Sequence, residues 1–467
     1  GMPSRTARWA VLVLALLSVA SAGCQASRPP EESLPSPSAI PSMAVSEVGA
    51  EETLPPPPPT LAPTGTASPF PPSPIPSPTP DWSLAFDEAH PGVEYSIPLT
   101  TQHVAPGRAV LFFQLTSPVE GRLFYWRTDL GISSAQWAPI SASERRQQIE
   151  VVGLDPGETY GAALGLRGAD SEFRPPYYGG RRWGPIQIRT PEAGQTTWRA
   201  GVVGDSGFGE QLTADLARRM AGQDLDFVIH TGDLVYKVDQ NADPPSAFRY
   251  KFFEPFAPIL KRMPLYPVAG NHDWDPPTVW GGVPYYYWAF PRFDPVDGDS
   301  DRQSFRNEYY AFVYGDVQFL MLNTQLLLRD GAQDAQIGWL SERLSDERYR
   351  YSIPVFHVPP YTSGLHTLDG QAVRDYWQPL FEEANVPLVL SGHDHDYERI
   401  DLHGVTYIVS GGGSSVLYGL RARVPGSQVF VSASHYLELD FSPQSIHLRA
   451  VGPEGELLDE VDIPTQR

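Results

Sequence analysis

Beyond residue 196 the chain repeats one format, in which a short apolar run ends and a polar, ligand-type side chain follows at once. WRAGVVGDSG delivers Asp205, FVIHTGDLVY delivers Asp233 and Tyr236, and LYPVAGNHD delivers Asn271, His272 and Asp273. YSIPVFHVPPY then delivers His357, and VPLVLSGHDHDYER delivers His393 and His395. Helical patterns lie between the runs: Leu212, Leu216 and Met220 recur at four-residue spacing, and Ile337, Leu340 and Leu344 form a second stripe. Val373, Trp377, Leu380 and Phe381 form a third. Alternating strands and helices predict an α/β domain over residues 196–467, where sites form beyond the carboxyl ends of strands. Five polar loops can therefore converge on one point.

Residues 83–192 carry a different pattern, short β-runs with turn punctuation. AVLFFQL, GRLFYWRT, QQIEVVGL, GETYGAALGLRG and GPIQIRT have the spacing of an all-β sandwich. Phe124 and Trp126 fall on one face by the period of two. The stretch GLDPGETY resembles the fibronectin type III pattern, with Pro156-Gly157 as the turn and Tyr160 as the corner tyrosine that bonds back to backbone. No titratable cluster occurs here, so the domain reads as packing rather than substrate-binding.

Composition separates off the first residues. Of 467 residues 49 are proline, and many of them fall before residue 81, where few large apolar side chains could form a core. Residues 25–82 therefore read as a Pro/Ser/Thr-rich tether, reaching roughly 170 Å at ~3.1 Å per residue if fully extended. Residues 1–24 read as a signal peptide: Arg5 and Arg8, the apolar run AVLVLALLSVA, then SAGC. Cys24 stands at the lipidation position of a bacterial lipoprotein, the alternative being a plain signal with an incidental cysteine. It is the only cysteine, which excludes an intrachain disulfide. The expectation is an exported, extracytoplasmic protein, lipid-anchored at Cys24 or otherwise secreted. A net charge of −21, with Lys237, Lys251 and Lys261 as the only lysines, argues against nucleic acid as a partner. An acidic chain that binds phosphate needs a local charge reversal, which a metal ion supplies.

The polar residues agree with that. Carboxylate, imidazole, amide oxygen and phenol suit borderline and hard cations such as zinc, manganese and iron, and the lack of sulfur excludes thiolate and iron–sulfur sites. Seven ligands exceed one four-coordinate zinc, so two ions sharing a bridging carboxylate fit better. Tyr236 is the unusual member, because a phenol ordinarily titrates near about 10.

GDSG, GDLVY, GNHD, VFHVPPY and GHDHDYER together resemble the five blocks of the calcineurin-like metallophosphoesterases, and the tyrosine in GDLVY narrows the resemblance to the purple acid phosphatases. The resemblance runs from about residue 196 to 450. It implies a four-layer α/β (α+β) sandwich of two mixed sheets flanked by helices. It also implies Fe³⁺ on Asp205, Asp233, Tyr236 and His395. Asp233 then bridges to a divalent ion (Fe²⁺, Zn²⁺ or Mn²⁺) completed by Asn271, His357 and His393. His272 faces the phosphoryl group, and His366 matches a histidine that contacts substrate and leaving group; either is a candidate general acid. The implied activity is hydrolysis of phosphate monoesters by hydroxide formed on the metals, with phosphodiesterase or nucleotidase as the nearest variant. A non-catalytic envelope adhesion or scaffold protein is the alternative of another class, and it predicts lost ligands where none is lost.

Several residues depart from the family or invite comment. Thr367 stands where plant members often carry a second histidine. Asp394 and Asp396 read as solvated loop charges, with a supporting role beside the metals as the alternative; Asp273 reads as a supporting residue. The aromatic stretch 280–293 reads as a packed loop, His230 as core and Arg399 as an ion-pair partner. His90, His103, His403 and His447 read as surface or scaffold, and His435 could approach the site.

Overall fold

The computed structural model describes residues 88–236, 243–274, 279–280, 283–290, 308–327 and 333–465. The expected signal peptide, Cys24, the tether and parts of the 280–293 stretch lie outside the described residues. Among the described residues no helix is long and apolar enough to cross a membrane.

The first region is a β-sandwich. One sheet has the order Tyr95–Ala105, Arg108–Leu115, Arg146–Val152; the other runs Ile186–Arg189, Thr159–Arg167, Gly121–Arg127, Gln136–Pro139. The two inner faces bury Leu111, Phe113, Leu123, Leu164 and Ile188. Alternation places Phe124 and Trp126 together on the opposite face, where Trp126 covers Gly161: a Cβ there would stand 2.7 Å from the indole. The Tyr160 hydroxyl accepts from the backbone N–H of Asp155 at 2.8 Å, closing the turn at Pro156-Gly157. Strand Tyr95–Ala105 was not anticipated. It contains Pro98, a residue confined to edges and bulges of sheets, and its pairing with Arg108–Leu115 shifts register on both sides of that proline.

From Trp198 onward the alternation builds four layers. A six-stranded sheet has the order Leu265–Pro267, Phe227–His230, Trp198–Val203, Tyr436–Phe441, Ser445–Val451, Leu457–Pro464. Its first three strands are parallel, and Tyr436–Phe441 joins antiparallel. A seven-stranded sheet has the order Tyr310–Tyr314, Val317–Met321, Tyr351–Val355, Leu388–Ser391, Val405–Ser410, Tyr397–Leu402, Ser427–Val431. The sheets face each other through aromatic side chains, including Tyr266 stacked on Phe312 at 3.6 Å and Phe319 edge-on to Phe441. Parallel strands buried on both faces read as apolar runs, as these do.

Helices cover both outer faces. Gln211–Ala221 turns Leu216 and Met220 inward, and Met220 lies against Gly201 of the first sheet. Outside the second sheet, Leu340 of helix Gln333–Leu344 joins Trp377, Phe381 and Phe356 in a separate apolar cluster. The expected helix through 370–385 is two short ones, Gln371–Tyr376 and Gln378–Glu383, interrupted at Trp377 two residues before Pro379. Pro379 has no N–H to donate to the carbonyl of Asp375 four residues back, and its ring crowds that carbonyl, which explains the break. The result is the expected α/β sandwich of two mixed sheets flanked by helices.

Candidate metal centre

The strand Trp198–Val203 ends two residues before Asp205, and Phe227–His230 ends three before Asp233. Beyond Leu265–Pro267 lies Asn271; beyond Tyr351–Val355 lies His357; beyond Leu388–Ser391 lie His393 and His395. All five polar loops meet. Six non-glycine residues have positive φ among the described residues, and three are Asp205 (57°), Asp233 (55°) and His393 (72°). Each such conformation costs on the order of 1–3 kcal/mol and persists only where surroundings enforce it. The segment 393–396 is a series of bends.

The side chains fall into two adjoining groups. In one, the Tyr236 hydroxyl lies 3.1 Å from Asp205 Oδ1 and 2.8 Å from His395 Nε2, and His395 Nε2 is 3.6 Å from Asp205 Oδ1. In the other, His357 Nε2 lies 3.3 Å from Asp233 Oδ2, 3.0 Å from Asn271 Oδ1 and 3.3 Å from His393 Nδ1. His357 Nε2 also approaches Asp205 Oδ1 at 4.0 Å, which joins the groups. Glycines make the approach possible. A Cβ on Gly270 would stand 2.1 Å from Asp233 Oδ1, and one on Gly392 would stand 2.4 Å from Asp205 Oδ2.

Proton bookkeeping shows what this cluster can hold. His357 Nδ1 faces the Thr231 carbonyl at 2.9 Å and His395 Nδ1 faces the Val416 carbonyl at 2.8 Å. A carbonyl only accepts, so each Nδ1 carries a proton, and each ring in its neutral form turns the Nε2 lone pair inward. His393 Nε2 faces Asp369 Oδ2 at 2.8 Å, so His393 turns its Nδ1 lone pair inward. With the rings neutral and the carboxyls ionised, the state a bound cation would favour, three ring lone pairs, two carboxylates and an amide oxygen converge around the Tyr236 phenol. That donor set fits metal cations, hard or borderline.

The titration behaviour points the same way. Burial raises the Asp205 carboxyl well above its usual range, and the nearby Asp233 adds to it. Burial also opposes ionisation of Asp233, but the His357 ring overcomes it and holds that carboxyl below its usual range. His357, whose burial opposes a charge, is nevertheless pushed up to about 10 by Asp233 and Asp205. Burial drives the Tyr236 phenol far above 10, and both carboxylates reinforce this. Positive charge is what the pocket lacks.

The candidate proton donors stand beside these groups. His272 donates its backbone N–H to Asp233 Oδ1 at 2.9 Å, and its ring lies 4.7 Å from that of Tyr236. The His366 ring lies 4.2 Å from that of His393, and its Nδ1 is 3.0 Å from Asp369 Oδ2. Asp273 is fully buried and accepts backbone N–H bonds from Gly270 at 2.8 Å, Leu234 at 3.0 Å and Val235 at 3.2 Å. It ties the loop of Asn271 to the loop of Asp233 and Tyr236.

Reading Asp394 and Asp396 as solvated charges is corrected: both are fully buried. Asp394 accepts from Thr362 Oγ1 at 2.5 Å and from the backbone N–H groups of Leu365 and His366, anchoring the loop that carries His366. Burial pushes the Asp396 carboxyl up to about 9. Asp369, Glu398 and Tyr418 were missed; Tyr418 stacks on His395 at 4.2 Å and 12°. A carboxylate three residues after a histidine is too common a spacing to have flagged Asp369.

The remaining residues lie apart. His230 is core, bonded to Ser206 Oγ at 2.8 Å. His435 is buried and bonded to Ser410 Oγ and the Ala433 carbonyl. Arg399 pairs with Asp459 at 2.7 Å. Tyr285 and Tyr286 of the aromatic stretch are packed inward.

With this geometry in view, residues 199–397 match the family of calcineurin-like phosphoesterases, whose members act on phosphate esters. Purple acid phosphatase 23 of Arabidopsis thaliana is 26% identical over 252 residues, covering 47% of this chain and 53% of that one. An uncharacterized protein of Mycobacterium tuberculosis is 29% identical over 150 residues, covering 29% of this chain and 28% of that one. These matches span about half the length of such curated relatives or less. Among solved structures, purple acid phosphatase PPD1 from yellow lupin (Lupinus luteus) seeds superposes with a TM-score of 0.62 at 17% identity, covering 78% of this chain and 74% of that one. By these matches the chain resembles the purple acid phosphatase-like metallophosphoesterases, the phosphoesterase match lying within residues 199–397.

Proposed function

We propose that the protein is an exported phosphate monoester hydrolase with two metal ions, a purple acid phosphatase in activity as well as in fold. The observation that carries this reading is the placement of the Tyr236 phenol between Asp205 and His395. A phenol that burial and two carboxylates hold in its neutral form becomes a ligand only against a strongly polarising cation, and Fe³⁺ is such an ion. On this reading Fe³⁺ takes Asp205, Asp233, Tyr236 and His395, and a divalent ion takes Asp233, Asn271, His357 and His393. The division follows the two groups of contacts. Bound there, the ions supply Lewis acidity that makes water nucleophilic and neutralises phosphoryl oxygens.

The chain's own residues do the rest. Asp233 holds the two groups together, and the backbone N–H of His272 fixes its Oδ1. Water attacks phosphorus as the ester P–O bond breaks, and His272 and His366 flank the position where the departing alkoxide needs a proton. Asp273 and Asp394, both buried, keep the two histidine-bearing loops in register with the carboxylates. The β-domain over 83–192 is proposed as a fibronectin type III-like support, with its corner tyrosine as the favouring feature. The region ahead of it is proposed as a signal and tether, with Cys24 as a lipid anchor.

The test combines metal analysis, visible spectroscopy and a substrate comparison. The purified protein is expected to hold two metal ions including iron, and to show a visible tyrosinate–iron band that Tyr236→Phe abolishes. It is expected to cleave p-nitrophenyl phosphate faster than bis-p-nitrophenyl phosphate. A colourless protein holding two manganese or zinc ions and preferring the bis-ester would make it a phosphodiesterase instead. Failure to bind metal or to cleave either ester would leave the scaffold alternative.

A further inference from the structure

Asp369 lies late in the loop that carries His357 and His366, outside the five motif blocks, and one of its oxygens serves two histidines. Oδ2 lies 2.8 Å from His393 Nε2 and 3.0 Å from His366 Nδ1. The ligating atoms of His366, Asp369 and His393 all lie within 4.8 Å of one another. We propose that Asp369 is a positioning residue that fixes the tautomers of His393 and His366 together, coupling the divalent-ion site to the leaving-group side of the pocket. The inference rests on the metal reading above.

The argument is one of donors and acceptors. A carboxylate accepts only, so a hydrogen bond to Oδ2 requires a proton on His393 Nε2 and a proton on His366 Nδ1. A neutral ring carries one proton. His393 is therefore left with an Nδ1 lone pair, and that atom is the one facing His357 Nε2 and, beyond it, Asn271 and Asp233. Without Asp369 the ring could move its proton to Nδ1 and present a donor to the other ligands. A carboxylate behind a ligating imidazole also raises its basicity and fixes its plane. The same oxygen leaves His366 Nε2 as the free position of that ring. Because one atom serves both rings, a displacement of either is felt by the other, and the rings already lie 4.2 Å apart.

The loop itself is built to hold Asp369 there. The backbone N–H groups of Leu365 and His366 bond to the buried Asp394, and the Asp369 N–H bonds to the His366 carbonyl at 3.2 Å. Leu368, between them, is 83% exposed, so its side chain can be removed without disturbing this arrangement.

The test is chelator competition with Zn²⁺ or Mn²⁺ on the full chain, alongside kcat and KM for p-nitrophenyl phosphate. Asp369→Ala is expected to weaken the more labile ion by roughly 10- to 100-fold, the usual effect of removing such a partner, and to lower kcat more than KM changes. Asp369→Asn keeps a carbonyl oxygen in place and is expected to recover most of the affinity; Leu368→Ala is expected to match wild type. Asp369→Ala with wild-type affinity, or Asp369→Asn failing as far as alanine, overturns the proposal. An equal loss in Leu368→Ala also overturns it, since the loop rather than the carboxylate would then matter. A wild-type protein that binds no second ion would instead overturn the metal reading, so the two failures are distinguishable.

Discussion

Removing Glu398 should damage the molecule more than any loss of charge on the surface could. Glu398 is fully buried and accepts from the Ser363 N–H at 2.7 Å, Ser363 Oγ at 2.5 Å and Ser427 Oγ at 2.6 Å. Ser363 in turn accepts from Val424 through its hydroxyl and from Arg421 and Ala422 through its carbonyl. Hydrogen bonds to a charged group are worth about 1.5–3 kcal/mol each, and a buried N–H left without a partner costs about 1–3 kcal/mol. Allowing for water entering the space, Glu398→Ala should lose about 3–5 kcal/mol, a large share of the ~5–15 kcal/mol that holds a domain together. Urea unfolding at pH 6 gives the clean comparison. Asp396, pushed up to about 9 by burial with Asp394 and Glu398 nearby, is neutral at that pH, so relief of repulsion between Asp396 and Glu398 does not enter. A double-mutant cycle with Ser363→Ala should show coupling of about 1–2 kcal/mol. Hydrogen exchange at residues 363–366 should quicken. A Glu398→Ala protein within about 1 kcal/mol of wild type would refute the reasoning, because a buried acceptor of three bonds cannot be that cheap to lose.

Gly270→Ala should empty the candidate metal centre, since the new Cβ would stand 2.1 Å from Asp233 Oδ1 and 2.3 Å from Asp233 N. Metal per chain should fall towards zero, whereas Gly338→Ala, where nothing lies within 4 Å, should keep its metal and gain about 0.5–1 kcal/mol of helix stability. Full occupancy in Gly270→Ala would count against the assignment. Burial lowers His103 to about 3 and His435 to about 4. Each ring is neutral when folded and gains a proton near about 6.5 when unfolded, so its stabilisation is complete above that pH and is lost as pH falls towards 3–4. At pH 5 the loss is about 2 kcal/mol per ring. In His103→Gln the decline in stability from pH 6 to pH 4 should shrink by about 1.4 kcal/mol per unit, and an unchanged slope would contradict the burial argument.

The C-terminal half was legible because strand ends punctuate it. Apolar runs followed by polar residues marked where strands stop, and seven candidate ligands in five blocks named what lies beyond them. Asp205, Asp233, Tyr236, Asn271, His357, His393 and His395 do come together. The sandwich was legible from turns, and Tyr160 closes its turn as read. What escaped were residues whose roles depend on distant partners. Strand Tyr95–Ala105 hid behind Pro98, and Trp377 broke a helix whose apolar stripe looked continuous. Asp394 and Asp396 looked like solvated loop charges because two acids between histidines give no sign of burial. Their partner loop lies about 30 residues earlier in sequence, and no local pattern links the two.

That segment explains why the motif is dense in ionisable groups. In GHDHDYE the histidines and the acids divide the work between two sides. His393 and His395 face the two groups of candidate ligands, whereas Asp394 and Glu398 face away, towards the loop of Thr362, Ser363 and His366. One short stretch therefore places two candidate ligands and also braces the loop that carries the candidate acid and Asp369. Burying three acids within five residues is costly, as the raised Asp396 carboxyl attests. The cost is offset by hydroxyl and backbone donors from 362–366 for two of them. Precise placement of His366 relative to His393 is what the arrangement obtains in exchange. A change on the bracing side should therefore alter proton transfer before it alters metal content, and a change on the histidine side should do the reverse.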